Sequence, residues 1–294
     1  MLQRDISYSI SVNQVIESCE KSMEKGCLDR GQTLIVDLDG VVWIGRKPIE
    51  ENVIALRSLI SRGYRVLFLT NNSTRSRTQY VRMLRDLGII VGIDSVITSG
   101  YLAASWLYEQ KGASEVYIVG EEGLIEEAVL AHHRVLTGEE AVRSTAVLVG
   151  LDRNLTYQKL RAAARALLNG SLFIATNTDH VIPVEDGLDP GAGAIIAALE
   201  ATTGRKPDFV AGKPNPWIID LVEKRLGIPR QNLVIIGDRV DTDMKLAMDT
   251  GVRGILVLTG LTGEDVISKA IGLERLSVTG ITIMRTLKDL VDRC

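Results

Sequence analysis

Leu34-Ile35-Val36-Asp37-Leu38-Asp39-Gly40-Val41-Val42 carries an apolar, β-branched run straight into two aspartates one residue apart, followed by a glycine. Residues i and i+2 of a strand point the same way, so Asp37 and Asp39 can converge on one spot at the strand's end. Two carboxylates forced together repel, and the arrangement is costly unless a cation, a shared proton or a chemical role offsets it. The same residues also suit a plain strand that ends in an Asp-Gly turn. The stretch alone leaves both readings open, so the rest of the chain has to separate them.

Around this stretch lie 294 residues, 46% hydrophobic and 24% charged, the make-up of a globular chain with a sizeable core in one large or two ordinary domains. Aromatics are only 4%, so that core rests on Val, Ile, Leu and Ala. A net charge of -3 gives no electrostatic footprint for nucleic acid or an anionic membrane. No run of about 18 apolar residues offers a membrane span, and MLQRDISYSISVNQ lacks the apolar centre of a signal peptide. Cys19, Cys27 and Cys294 form neither a CxxC pair nor a metal-ligand spacing. A cytoplasmic protein is the simplest expectation.

Short β-branched runs alternate with helical patterns, the signature of an α/β protein with parallel strands. Strands are expected at 33–37, 65–70, 116–119, 146–150, 172–176, 233–237 and 254–258. Helices are expected near 50–62, 74–87, 100–111, 121–132, 156–169, 190–203, 216–226, 241–249 and 263–270, several stopped by a glycine (Gly63, Gly88, Gly112, Gly170, Gly204, Gly227). The first 30 residues stand apart; 13–25 suits one helix, with Asn13 as N-cap and Gly26 as its stop. His132 and His133 fall at a helix end, where neighbours diverge, and are expected at the surface rather than on a metal.

Ligands of open parallel sheets bind beyond the carboxyl ends of the strands, and four such ends carry polar chemistry. The first is Asp37 and Asp39. The second is Thr70-Asn71-Asn72-Ser73, either an anion-binding helix entry or an ordinary N-cap. The third is Ala211-Gly212-Lys213-Pro214-Asn215-Pro216, where Pro216 fits an early helical position and Lys213 is either a phosphate-seeking ammonium or a solvated surface lysine. The fourth, Gly237-Asp238-Arg239-Val240-Asp241-Thr242-Asp243, places Asp238 directly after a strand, as Asp37 is placed. Oxygen donors there suit magnesium, which takes few carboxylates together with waters and substrate oxygens.

Taken in order, these residues resemble the haloacid dehalogenase superfamily of phosphotransferases. Asp37-Leu38-Asp39-Gly40 is similar to its DxDG motif, Thr70 to its second, Lys213 to its third, and Gly237-Asp238 to Asp243 to its GDxxxxD form. TNNS, GKPNP and GDRVDTD are most similar to the NagD-like and p-nitrophenyl-phosphatase-like branch, over roughly residues 31 to 260. The resemblance implies a Rossmann-like three-layer α/β core with a parallel sheet (31–97 and 207–294), an inserted C2-type α/β cap (98–206), and an N-terminal extension (1–30).

It further implies a Mg2+-dependent phosphatase working through an aspartyl-phosphate. Asp37 would be the nucleophile and Asp39 the general acid and base; Asp37, Asp238 and Asp39, through its carbonyl, would hold the metal. Thr70, Asn71, Asn72 and Lys213 would bind the phosphoryl oxygens, and Asp243 would orient Lys213 or a metal-bound water. Asn177 and Asp179, in the ATNTD stretch, are cap candidates for touching substrate, or else a polar turn. Val41 replaces a threonine common in relatives. Trp43 either packs at a hinge or lines the substrate entrance, with packing favoured. The substrate is expected to be a small phosphorylated metabolite, and a homodimer through the cap follows by analogy. The alternatives are a phosphotransferase or mutase, and a sensor that binds a phosphorylated metabolite without turnover.

Overall fold

The computed structural model describes residues 28–184, 187–260 and 280–293. The expected helices at 13–25 and 263–270, and all three cysteines, lie outside the described residues. The chain divides into two compact units, Met1–Val66 with Ile228–Cys294, and Leu67–Gly227.

The first unit opens with β1 (Thr33–Asp37), a small hairpin of β2 (Trp43–Ile44) and β3 (Lys47–Pro48), helix Glu50–Ser61, and the first residues of β4 (Arg65–Thr70). The second unit holds the rest of β4, helix Arg77–Asp86, β5 (Val96–Thr98), helix Ser99–Lys111 and β6 (Glu115–Val119). It continues with helix Glu122–Leu130, β7 (Arg134–Leu136), β8 (Ala146–Val149), helix Tyr157–Leu168 and β9 (Leu172–Ala175). Hairpin β10 (Val181–Val184) and β11 (Gly187–Pro190), helix Ala192–Thr203, β12 (Phe209–Val210) and helix Trp217–Leu226 complete it. The chain then returns to the first unit with β13 (Leu233–Gly237), a π-helical turn Val240–Met244, helix Lys245–Thr250, β14 (Arg253–Val257), β15 (Ile281–Met284) and helix Lys288–Arg293.

In the first unit β1, β13, β14 and β15 form a parallel ladder in the order β15-β14-β13-β1, with Ile35 opposite Ile235 and Ile236 opposite Ile255. Every residue of β1 and β13 is buried, as expected of parallel strands covered on both faces. Helix Glu50–Ser61 buries Val53, Leu56 and Leu59, an i, i+3, i+6 stripe, and carries Glu50 and Glu51 in its first turn, where the helix dipole favours them. In the second unit β4 pairs with β5, and a five-stranded parallel sheet runs in the order β12-β9-β8-β6-β7. Its core joins Val119, Val147, Val149 and Phe173 to Ala163, Ala166 and Leu167 of one helix and Ile195, Ile196 and Leu199 of another. The alanines let that helix lie close on the sheet, and each large aliphatic side chain so buried stabilises by roughly 1.5–3 kcal/mol.

Every strand expected from the sequence is present, its ends shifted by at most one residue, and the glycines named as helix stops all take positive φ. The strands that pattern did not reveal are short: β2, β3, β5, β7, β10, β11, β12 and β15 have two to four residues each. A run that short has no readable period and becomes a strand by pairing with a neighbour already in place. The helix expected from 74 starts at Arg77 instead, because Ser76 and Gln79 form a reciprocal capping box.

His133 corrects the surface placement expected for the histidine pair. It is 4% exposed: its Nδ1 accepts from the Ser114 N–H at 3.2 Å, and Nε2 lies 2.9 Å from the Ala104 carbonyl, to which it donates in the neutral tautomer. His132 absorbs the helix end with a φ of 65°, turning its neighbour inward. Burial pushes the His133 imidazole below its ordinary value, with the Ala104 carbonyl partly opposing. A group depressed on folding contributes stability that is full above the unfolded value near 6.5 and is lost as pH falls below it. Thermal unfolding of the wild type should therefore lose midpoint temperature between pH 7.5 and 5.5, and His133→Gln should flatten that slope. Equal slopes in the two proteins would show that another group titrates.

Candidate active site

Each unit assembles one half of the residues singled out above. In the first unit, the ends of β1 and β13 place Asp37 and Asp238, and the π turn supplies Asp243. One carboxylate oxygen from each lies within 4.8 Å of the others, and all three side chains are buried. Two glycines admit this crowding: a methyl group on Gly237 would overlap the Asp243 carboxylate, and one on Gly40 would overlap that of Asp238. Gly40 also sits at φ 85°, open to glycine at little cost. The sequence pattern predicted a plain helix over 241–249, but the structure inserts a π turn, with the Met244 N–H reaching back five residues to the Arg239 carbonyl. Such turns are frequent at functional sites. Here it lies where Asp243 folds back on Gly237, its Oδ2 accepting from the Arg239 N–H and the Thr242 hydroxyl.

Asp39 parts from this cluster. Its side chain is exposed, and its Oδ1 accepts from the Trp43 indole N–H at 3.0 Å. Trp43 itself is 4% exposed, so it packs, as favoured, while its polar edge also fixes the second aspartate. Val41 is wholly buried, a setting in which a threonine would need a partner for its hydroxyl. Three crowded, buried carboxylates repel one another, and an all-oxygen donor set of this kind fits a hard divalent cation.

In the second unit the ordinary-cap reading of Thr70-Asn71-Asn72-Ser73 is excluded, since the following helix is capped by Ser76. The four residues form a turn fastened by their own side chains: the Thr70 hydroxyl accepts from the Asn72 N–H, and Asn72 Oδ1 accepts from the Thr74 N–H and hydroxyl. Asn71 works as a hub. Its Oδ1 accepts from the Lys213 N–H at 2.7 Å, and its Nδ2 donates to the Lys213 carbonyl and to Asp179 Oδ2. Its own carbonyl accepts from the Ser99 hydroxyl and from Asn177 Nδ2. Lys213 is 4% exposed, not a solvated surface residue.

Asn177 and Asp179 are a turn and something more. The Asp179 N–H bonds Asn177 Oδ1, while both side chains reach Asn71. The nearby Gly191 and Gly193 leave room for the backbone of residues 178–180, which a methyl group at either position would strike.

Some residues of these clusters escaped the sequence reading. Asn52 and Thr259 support the loop after Asp39, Gly260 lies against Asp238, and Arg153 clasps Glu121 at the carboxyl ends of β6 and β8. Hydrogen bonding to Arg153 holds the Glu121 carboxyl below its ordinary range. Arg153, in a polar run after one expected strand, and Thr259-Gly260, directly after another, had a sequence signal; Asn52 had none.

A Rossmann-like α/β fold with clustered acids at the ends of its parallel strands is a setting suited to a ligand or catalytic site. Residues 34–133 match the family model of haloacid dehalogenase-like hydrolases, and residues 210–281 match a second model of the same kind. The chain is 34% identical over 256 residues to phosphoglycolate phosphatase 1A, chloroplastic, of Arabidopsis thaliana, covering 80% of this chain and 70% of that protein. Among solved structures it is similar to a p-nitrophenyl phosphatase from Archaeoglobus fulgidus, with TM-score 0.82, 35% identity, and coverage of 90% of this chain and 99% of that one. It is also similar to a glycerol phosphate phosphatase from Mycobacterium tuberculosis solved with magnesium and with calcium. The magnesium form gives TM-score 0.77, 33% identity, and coverage of 88% of this chain and 76% of that one. The chain belongs to the haloacid dehalogenase-like hydrolases, in their NagD-like, p-nitrophenyl-phosphatase-like branch. Its enzyme class is phosphoric monoester hydrolase. No helix among the described residues is long and apolar enough to cross a membrane.

Proposed function

We propose that this phosphatase hydrolyses small phosphate monoesters with Mg2+ through an aspartyl-phosphate. The observation that carries the reading is the separation of the two aspartates: Asp37 joins the buried acids Asp238 and Asp243, while Asp39 is exposed and held by Trp43. In this reading Asp37 serves the cation and Asp39 exchanges a proton.

In this mechanism an Asp37 carboxylate oxygen attacks phosphorus. Asp39 donates its proton to the departing alkoxide, then takes one from the water that cleaves the acyl phosphate and frees inorganic phosphate. Asp37, Asp238, Asp243 and the Asp39 carbonyl are the groups suited to Mg2+, which when bound neutralises phosphate charge so that a carboxylate can approach a dianion. Thr70, the Asn71 backbone and Lys213 bind the phosphoryl oxygens, whose charge they stabilise in the transition state, while the Asn72 N–H holds the Thr70 hydroxyl in place. The Asn71 side chain, bonded to both the N–H and the carbonyl of Lys213, sets where that lysine starts.

We assign 98–206 as a cap inserted into the core, and its presence limits substrates to small esters. Relatives named for phosphoglycolate, glycerol phosphate and p-nitrophenyl phosphate support that class. A phosphate-release screen over small monoesters, run with Mg2+ and with EDTA, tests it. Metal-dependent release from small esters is expected; release unaffected by EDTA, or none from any ester, would overturn the proposal.

A further inference from the structure

Asn52 is wholly buried in the first turn of helix Glu50–Ser61, and its bonds admit one orientation. Oδ1 accepts from the Leu287 N–H at 2.8 Å, so the amide nitrogen must face the other way, where it donates to the Val41 carbonyl at 2.8 Å and to Thr259 Oγ1 at 3.2 Å. The Thr259 hydroxyl, having accepted that bond, donates its own proton to the Gly40 carbonyl at 2.7 Å. Three segments distant in sequence are thus tied at one point: the loop after Asp39, the loop after β14, and residue 287.

The two loops share one neighbour. Gly40 and Gly260 both press so closely on the Asp238 carboxylate that a methyl group on either would overlap it. Gly260 directly follows Thr259, and Gly40 supplies the carbonyl that Thr259 binds. The hydroxyl therefore joins the two backbone walls between which Asp238 is seated. A carboxylate packed this closely against backbone is confined by those walls, and fixing a ligand's direction is the work of the groups around it.

We propose that Asn52 and Thr259 are positioning residues for the metal site, a brace that fixes the direction of Asp238 by joining its Gly40 and Gly260 walls. The proposal rests on the reading of Asp37, Asp238 and Asp243 as metal ligands. Neither brace residue is among the clustered acids; both act through Asp238. Thr259 is the better residue to change, because truncating Asn52 would also strand the Val41 carbonyl and the Leu287 N–H.

The test uses the full chain without substrate and follows the rise in Tm with added MgCl2, taking the dissociation constant fitted to that logarithmic rise as the measure of affinity. Thr259→Val keeps the shape and deletes the hydroxyl; Thr259→Ser restores it; Asp238→Ala reports on the metal reading itself. The expected result is a wild-type rise abolished in Asp238→Ala, shifted to about tenfold higher Mg2+ in Thr259→Val, and near the wild-type dissociation constant in Thr259→Ser. The metal requirement for activity should move in parallel. If Thr259→Val lowers the metal-free Tm but leaves the fitted dissociation constant unchanged, the bond is structural only and the brace is overturned. If the wild type shows no rise, or Asp238→Ala keeps it, the metal reading falls and takes the brace with it.

Discussion

Asp37→Asn should lower turnover of p-nitrophenyl phosphate by at least about 10³-fold, because an amide oxygen is a far poorer nucleophile than a carboxylate and no neighbour can replace it. The change is nearly isosteric. The Leu38 N–H, now 2.8 Å from Asp37 Oδ1, keeps an acceptor, so the loss would report chemistry rather than misfolding. Asp39→Asn should behave differently. p-Nitrophenolate leaves without needing a proton, so formation of the phosphoenzyme should survive, while its hydrolysis, which needs a base, should not. Rapid mixing should then show one p-nitrophenolate per enzyme released in a burst from Asp39→Asn and none from Asp37→Asn. Normal turnover by Asp37→Asn would sink the mechanism.

Glu127→Ala should cost the second unit about 3–5 kcal/mol, the usual consequence of removing one member of a buried ion pair. The Glu127 carboxylate is inaccessible to solvent. Its Oε1 accepts from the Arg77 N–H at 2.7 Å and its Oε2 from Arg77 Nε at 2.9 Å. It thereby pins the first residue of the helix that follows the Thr70-Asn71-Asn72 turn. Burial pushes the Glu127 carboxyl above its ordinary value despite Arg77 beside it. Desolvation therefore outweighs the attraction, and the pair is costly to break rather than a large net stabiliser. Arg77, stacked over the Tyr101 ring at 3.8 Å, would be left with an uncompensated charge on a side chain only 13% exposed. The double variant Arg77→Met/Glu127→Leu should be milder than Glu127→Ala, because it removes both charges. Urea unfolding followed by circular dichroism compares them, and a double variant as unstable as the single one would refute the desolvation account.

Residue pattern alone was enough for the long strands, because β1, β4 and β13 are continuous apolar runs and burial on both faces needs nothing else. Pattern was also enough to find the acids, since they directly follow those runs. It failed where a local rule met a tertiary partner. His133 looked like a helix-end surface residue, yet Ser114 and Ala104 close over it. Residues 241–249 looked like one helix, yet Asp243 packs on Gly237 where the chain takes a π turn. Asn52 carries no local signal at all, because its partners lie at 41, 259 and 287.

By itself the sequence determined the α/β class, the long strands and the order of the polar strand ends, because hydrophobic period and chain succession are properties of the chain alone. Only the tertiary structure decided that Asp37 joins Asp238 and Asp243 while Asp39 turns to Trp43, and that Asn71 holds Lys213 by its backbone. Those choices depend on which segments lie side by side and how closely glycine lets them approach. A one-dimensional pattern does not carry that distance.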